Sequence, residues 1–230
     1  MQRTINTLAS RLCADAEEHV IEGMDTWGGL IGDLIQSNCS ENKEHRDCES
    51  LLTRGARDIL HDLKLHPEFH AALETAITCN RQQTGSWHWC LLSNTPLLRI
   101  GLITVYRDTP IPAHDHPNSF GIQLVITGRA RVRQYQPIEP MDRKHHLVSL
   151  EKISDSELGV HRSSVFTPEH RNIHEIEAVS PRTVLLSIMI HPYDPQERSW
   201  FFPTTIADTV SPRLFSRIRK RADGGPASHH

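Results

Sequence analysis

The sequence predicts an α+β, mainly β chain: a helical N-terminal region packed on a small antiparallel jelly-roll barrel. From Ile5 to about Leu73 the apolar residues recur at helical spacing with charged residues between them, as in INTLASRLCADAEEHVIEGM and LLTRGARDILHDLKL. After Gln82 the chain turns to short segments rich in Val, Ile and Leu: LLRIGLITVY, FGIQLVITG, ARVRQY, HHLVSL, SSVFTP and TVLLSIMI, broken by Pro, Gly, Asn and Asp. Strands spaced by roughly 8–12 residues suit a sandwich or barrel, and a run of at least six fits a jelly roll.

The elements follow in order. Ser37 to Asp47 (SNCSENKEHRD) is polar and reads as a connecting loop. Pro67 opens a further helix, HPEFHAALETAITC, because its ring presets the φ of a first turn. Residues 1–82 thus form the helical region, with three or four helices, and 83–205 the barrel. The basic segment 206–230 contains the amphipathic SPRLFSRIRKRA and the small polar tail DGGPASHH, and is expected as a weak terminal helix or partly disordered.

Composition bounds the function. A chain of 230 residues can bury a core without disulfide staples, and 37% apolar content is too high for a disordered chain. No run approaches the roughly 18 apolar residues that span a bilayer, and MQRTINTLASRL lacks an apolar signal core. Five cysteines without paired spacing fit a reducing compartment, so the expectation is a cytoplasmic protein with no membrane partner. A net charge of −3 argues against a nucleic-acid surface. The outlier is histidine, with 16 residues, which directs attention to metal sites.

PIPAHDHPNSFGIQLVITGRARVRQYQ is the most informative stretch. His114 and His116 sit two apart, so on an extended chain both imidazoles face one way while Asp115 faces the other. A third ligand must come from elsewhere. His174, in PEHRNIHEIEAVS, precedes the strong β segment TVLLSIMI, which would bring it across a barrel to the same ion. Cys39 and Cys48 with His45 match no closed zinc site. His145, His146, His161 and His170 fall in turns and read as solvated, as does the basic run Arg217 to Arg221.

H-x-H, then Gly128, then a lone His on a later strand resembles the metal motif of the cupin superfamily. Most cupins add a glutamate ligand after the pair; the corresponding position here is Gly121. Three histidines without a carboxylate is the pattern of the thiol dioxygenases. PIPAHDHPNSF resembles cysteamine dioxygenases and plant cysteine oxidases, as does the strand ending in the turn His191-Pro192-Tyr193; HEIEAVS is nearer to cysteine dioxygenases. The similarity covers roughly Trp87 to Phe202.

The resemblance implies Fe(2+) held by His114, His116 and His174, and oxidation of a small thiol by O2 to its sulfinate. The Tyr-x-Arg pair that holds a substrate carboxylate in cysteine dioxygenases falls on Trp87-His88-Trp89, so a carboxylate needs another arginine, such as Arg99 or Arg133. The Ser-His-Tyr series of that family falls on Ser187, Met189 and His191; Tyr193 keeps the tyrosine of the cysteamine branch. Ser187, His191 and Tyr193 are therefore the expected catalytic residues, and Trp87, Trp89, Gln123 and Met189 the expected substrate-binding ones. The crosslinking cysteine of the family is Gly121 here, so no Cys–Tyr crosslink is expected. For several residues the sequence leaves two readings. Gln123 faces the metal or the outer side, because the register through Pro117 to Ser119 is not fixed; Trp87 and Trp89 line the pocket or pack on the helices. His191 is a pocket residue or a turn residue, and Cys90 a pocket or a structural thiol. A three-His cupin oxygenase acting on an aromatic or heterocyclic non-thiol, and a non-catalytic ligand-sensing cupin, are the alternative functions. Oligomeric state is not legible.

Overall fold

In the computed structural model, which describes residues 17–18, 45–79, 87–141, 146–190, 198–204 and 213–219, two helices cover one face of a two-sheet β structure. In chain order the elements are β1 (Glu17–Glu18), α1 (His45–Leu63), α2 (Pro67–Thr78), β2 (His88–Asn94), β3 (Leu98–Tyr106), β4 (Ile111–His114), β5 (Phe120–Thr127), β6 (Ala130–Pro137), β7 (Leu147–Leu158), β8 (Ser163–Phe166), β9 (Ile173–Ala178), β10 (Arg182–Ile190), β11 (Ser199–Pro203) and β12 (Arg213–Arg219). One sheet runs β1-β2-β3-β10-β5-β8; the other runs β11-β12-β7-β6-β9-β4 and closes on itself, β4 pairing back to β11. This is the jelly-roll arrangement of a cupin.

The open sheet is buried on both faces. Leu52, Ala56, Ile59, Leu60 and Leu63 form one stripe of α1, and Phe69, Ala72 and Ala76 one stripe of α2. They pack on Leu98, Ile100 and Leu102 of β3, Ile122 and Leu124 of β5, and Val184, Leu186, Ile188 and Ile190 of β10. The alternate residues Ile103, Val105, Val125 and Leu185 face the closed sheet and meet Ile111, Val132 and Ile176. Burial from both sides explains why LLRIGLITVY and TVLLSIMI are near-continuous apolar runs rather than alternating ones.

Turn chemistry sets the strand joints. His116 to Ser119 is closed by the Ser119 N–H donating to the His116 carbonyl at 3.1 Å, with Pro117 second and Asn118 third at φ 60°. That is a type II turn, where Pro presets the first corner and Asn tolerates the left-handed one. Gly128 joins β5 to β6 at φ 81°, and a Cβ there would stand 2.5 Å from the Arg182 carbonyl oxygen.

Three sequence expectations are corrected. Arg213–Arg219 is a strand and not a helix or a disordered tail: it pairs with β11 and β7, and Phe215 and Arg217 alternate onto the buried side. The charges in RLFSRIR imitate an amphipathic helix, but the buried positions repeat with period two. Glu17–Glu18, inside the segment read as helical, instead pairs in parallel with Cys90 and Leu91 at the sheet edge. Residues 5–16 and 19–44, read as helix and loop, lie outside the described residues. Cys48 is disulfide-bonded, a departure from the all-thiol expectation, whereas Cys79 and Cys90 are in no disulfide; Cys90 packs in the helix–sheet core as a structural thiol. No described helix is long and apolar enough to cross a membrane.

Candidate metal centre

His114 ends β4 and His174 lies directly opposite it on β9, while His116 follows in the Pro-Asn turn. Ring centroids lie 4.6 Å (114–174), 4.8 Å (114–116) and 5.1 Å (116–174) apart, and one ligand nitrogen from each lies within 4.8 Å of the others. It is the one such cluster of His, Cys, Asp or Glu side chains among the described residues. Asp115 points the other way, as the alternation requires, and its Oδ1 accepts from the Ser199 N–H at 2.6 Å.

The backbone holds the ligands in place. Nδ1 of His114 donates to the Pro112 carbonyl at 2.8 Å, which fixes the proton there and leaves Nε2 as the lone-pair nitrogen. Asn172 clamps His116 at both ends: its Oδ1 accepts from the His116 N–H at 2.7 Å and its Nδ2 donates to the His116 carbonyl at 3.0 Å. A second bond from Nδ2 to the Thr167 carbonyl, at 2.9 Å, ties the clamp to the loop after β8.

Burial is the main cause that pushes all three imidazoles toward the neutral form. His114 is lowered by burial, then by His174 and Arg198, against the Pro112 carbonyl; His116 by burial, then Arg198 and the other two rings. His174 is brought down to about 3 by burial and then by Arg198, against the Asn172 carbonyl. Three neutral nitrogen donors at neutral pH are what a divalent transition ion needs, and the set fits Fe(II) among others.

Around the cluster the wall is aromatic. Phe166 stacks on His116 at 4.7 Å and lies 4.9 Å from His174. Its ring fills the space in front of Gly121, where a Cβ would fall on it. A side chain at this position, where the cupin resemblance would place a carboxylate, would meet that ring. Trp200, opposite His114 across β11 and β4, lies 5.0 Å from the His114 ring and 5.8 Å from Trp87.

A family model, PCO_ADO, matches residues 59–220. The chain belongs to the PCO_ADO family. Outside the family model, the 2-aminoethanethiol dioxygenase of Mus musculus is 26% identical over 117 residues, 43% of this chain and 46% of that protein. The one from Homo sapiens is 24% identical over 119 residues, 43% and 44% respectively. The match thus spans less than half the length of these relatives. Among solved structures, KdgF from Halomonas sp. shares 16% identity at a TM-score of 0.35, covering 46% of this chain and 80% of that one. A double-stranded β-helix protein from Klebsiella pneumoniae shares 15% at 0.36, covering 46% and 77%.

Within this PCO_ADO chain the expected pocket residues separate clearly. Gln123 pairs opposite Ser187 and Ser164 on the inward face of β5, which resolves its orientation; its Nε2 lies 3.1 Å from Nε2 of His174. Ser187 is buried on that same face, and Met189, two residues on, packs with Phe166 and Trp89. Trp87 and Trp89 are half-buried against the inter-sheet core and not against the helices. Arg133 is corrected: it stands on the outer face of β6 in ion pairs with Asp155, Glu175 and Glu177. Arg99 has its guanidinium 5.4 Å over the Trp89 ring. His191 and Tyr193 lie outside the described residues, as do Cys39 and His145. Sequence reasoning missed Phe166, Asn172, Arg198 and Trp200. Asn172, two residues before the third ligand, was the one with a local signal.

Proposed function

We propose that this chain is a non-haem Fe(II) dioxygenase that oxidises a small thiol with O2, transferring both oxygen atoms to sulfur so that RSH and O2 give RSO2H with no external reductant. The observation that carries this reading is a buried, neutral three-histidine cluster whose carboxylate position is closed by Phe166 over Gly121, in a chain of the PCO_ADO family. Iron, when bound, would supply the acidity that ionises a thiol and the redox chemistry that dioxygen requires.

The remaining roles belong to the chain. His114, His116 and His174 hold the ion and add no charge, so an anionic sulfur is favoured beside it. Phe166, Trp89, Trp200 and Met189 keep water from the reacting atoms. Trp87, Trp89, Gln123 and Met189 line the substrate space. Ser187 is assigned a hydrogen bond to substrate or dioxygen, and Tyr193 and His191, which follow β10 in sequence, the same duty, with His191 as the proton carrier. With indole at Trp89 and Arg133 turned outward, a substrate carboxylate has no arginine from those two positions.

Oxygen uptake by the Fe(II)-loaded chain, measured against cysteine, cysteamine, 3-mercaptopropionate and a peptide with N-terminal cysteine, tests the proposal. A product heavier by two oxygen atoms supports it. Iron bound with no uptake for any thiol sinks it. The aromatic wall of Trp89, Phe166 and Trp200 favours one second reading, oxygenation of an aromatic non-thiol at the same ion, which product analysis with such compounds separates.

A further inference from the structure

Gln123 stands against a ligand of the centre, a contact that lining the substrate space does not by itself explain. Its side chain is 2% exposed, and its amide nitrogen lies 3.1 Å from Nε2 of His174. In this contact an amide N–H points at the lone pair of Nε2 on the ring. Its Oε1 is buried with no hydrogen-bond partner among the described residues, a costly condition for a carbonyl oxygen.

A cation on His174 repels the amide NH2 and attracts the amide oxygen. The last torsion of a glutamine side chain is a soft two-fold rotor, and a half-turn exchanges the two atoms without moving the backbone. The spacing suits the exchange. Two donor atoms each about 2.1 Å from one ion and at right angles lie roughly 3 Å apart, as Gln123 and His174 do. No competing side chain comes from the neighbouring inward position of β5, because Gly121 has none and Phe166 covers it.

We propose that the side-chain carbonyl of Gln123 is a fourth, neutral ligand of the ion held by His114, His116 and His174. The inference rests on the three-histidine reading given above. An amide oxygen leaves the full charge of the ion in place while filling one of the positions the histidines leave open. Two positions then remain, room for one sulfur and one further ligand. A thiol held through sulfur alone is favoured over one that chelates through sulfur and a second atom.

Co(II) titration of the metal-free full chain tests this, read by dissociation constant and by visible absorption bands without substrate. Gln123→Leu is expected to raise the dissociation constant about tenfold or more and to shift the bands. Gln123→Glu, which puts an anionic oxygen at similar reach, is expected to lower the constant below that of the wild type. Wild-type affinity with unchanged bands in Gln123→Leu overturns the assignment. Should that variant melt well below the metal-free wild type, Gln123→Glu decides: no tightening and no band shift overturns it equally. His174→Ala tests the reading underneath. If it binds Co(II) as tightly as the wild type, the three-histidine centre itself is wrong; loss of binding there with no effect at Gln123 removes only the fourth ligand.

Discussion

Replacing Gly121 by alanine should destabilise this chain, although glycine inside a strand normally gives way to alanine with a gain of about 0.5–1 kcal/mol. Gly121 is not among the residues with positive φ, so the backbone itself accepts a side chain. The obstacle is Phe166, whose ring occupies the place of the new methyl. That ring is fully buried and stacked 4.7 Å from His116 and 4.9 Å from His174, so it retreats only by pushing two ligands. Overpacking of this kind costs about 1–3 kcal/mol, which offsets the glycine gain and leaves a net loss of roughly 0–2.5 kcal/mol. Phe166→Ala alone should cost about 3–5 kcal/mol through the cavity it opens. In the double variant the methyl enters space the ring has vacated, giving a coupling of about 1–3 kcal/mol in the stabilising direction. Urea unfolding of the four metal-free proteins, with m compared across them, measures the cycle. Additivity within about 0.5 kcal/mol, or a Gly121→Ala chain more stable than the wild type, would refute the argument that the ring occupies the side-chain space at Gly121.

Asn172→Ala removes three hydrogen bonds at His116 and Thr167; metal affinity should drop about 10–100-fold, with isothermal titration as the check and an unchanged constant as the contrary result. The metal-free protein should lose stability as pH falls below 6.5, because the unfolded histidines take protons that His174, held at about 3, and the likewise lowered His114 and His116 refuse. The slope is about 1.4 kcal/mol per pH unit for each such histidine, and a flat denaturation profile down to about pH 4.5 would contradict it. Arg133→Ala should cost about 1 kcal/mol or less, since its ion pairs are partly solvated, and leave metal affinity as it was. A weakened metal site in that variant would place Arg133 in the pocket after all.

The parts of this molecule that could be read from sequence are those whose physics is local. H-x-H on an extended strand fixes two imidazoles on one face, and the register of β4 with β9 then supplies the third, as expected for His174. The apolar stripes around Pro67 and in LLTRGARDILHDLKL gave helices for the same reason. What escaped depends on partners distant in sequence. Whether Gln123 faces in or out turns on a type II turn at Pro117-Asn118 and on pairing with β10. Phe166 and Trp200 look like ordinary strand aromatics until the closed sheet brings them onto the histidines. Arg133 was a plausible anion partner by charge, yet its neighbours on β7 and β9 supply three carboxylates on the outer face. Basic composition concealed β12, because seven residues are too few for a charged strand and an amphipathic helix to look different.

The strand bearing His114 is flanked by β9 on one side and by β11 on the other, and β11 follows it only after most of the barrel. During synthesis the His-Asp-His segment leaves the ribosome well before the strand that supplies its lateral neighbour, and joining them closes a long loop at an entropic cost. Trp200 against His114 and the Ser199 N–H on Asp115 exist only once that loop has closed. All three imidazoles are thus present in a nascent chain whose first two histidines still lack that wall, and metal affinity is expected to rise once β11 docks. The same dependence makes the segment that begins at Arg198 and carries β11 a place to test by trimming. A protease that trims it would leave every ligand intact and yet release the ion, and metal retention after limited digestion measures that directly.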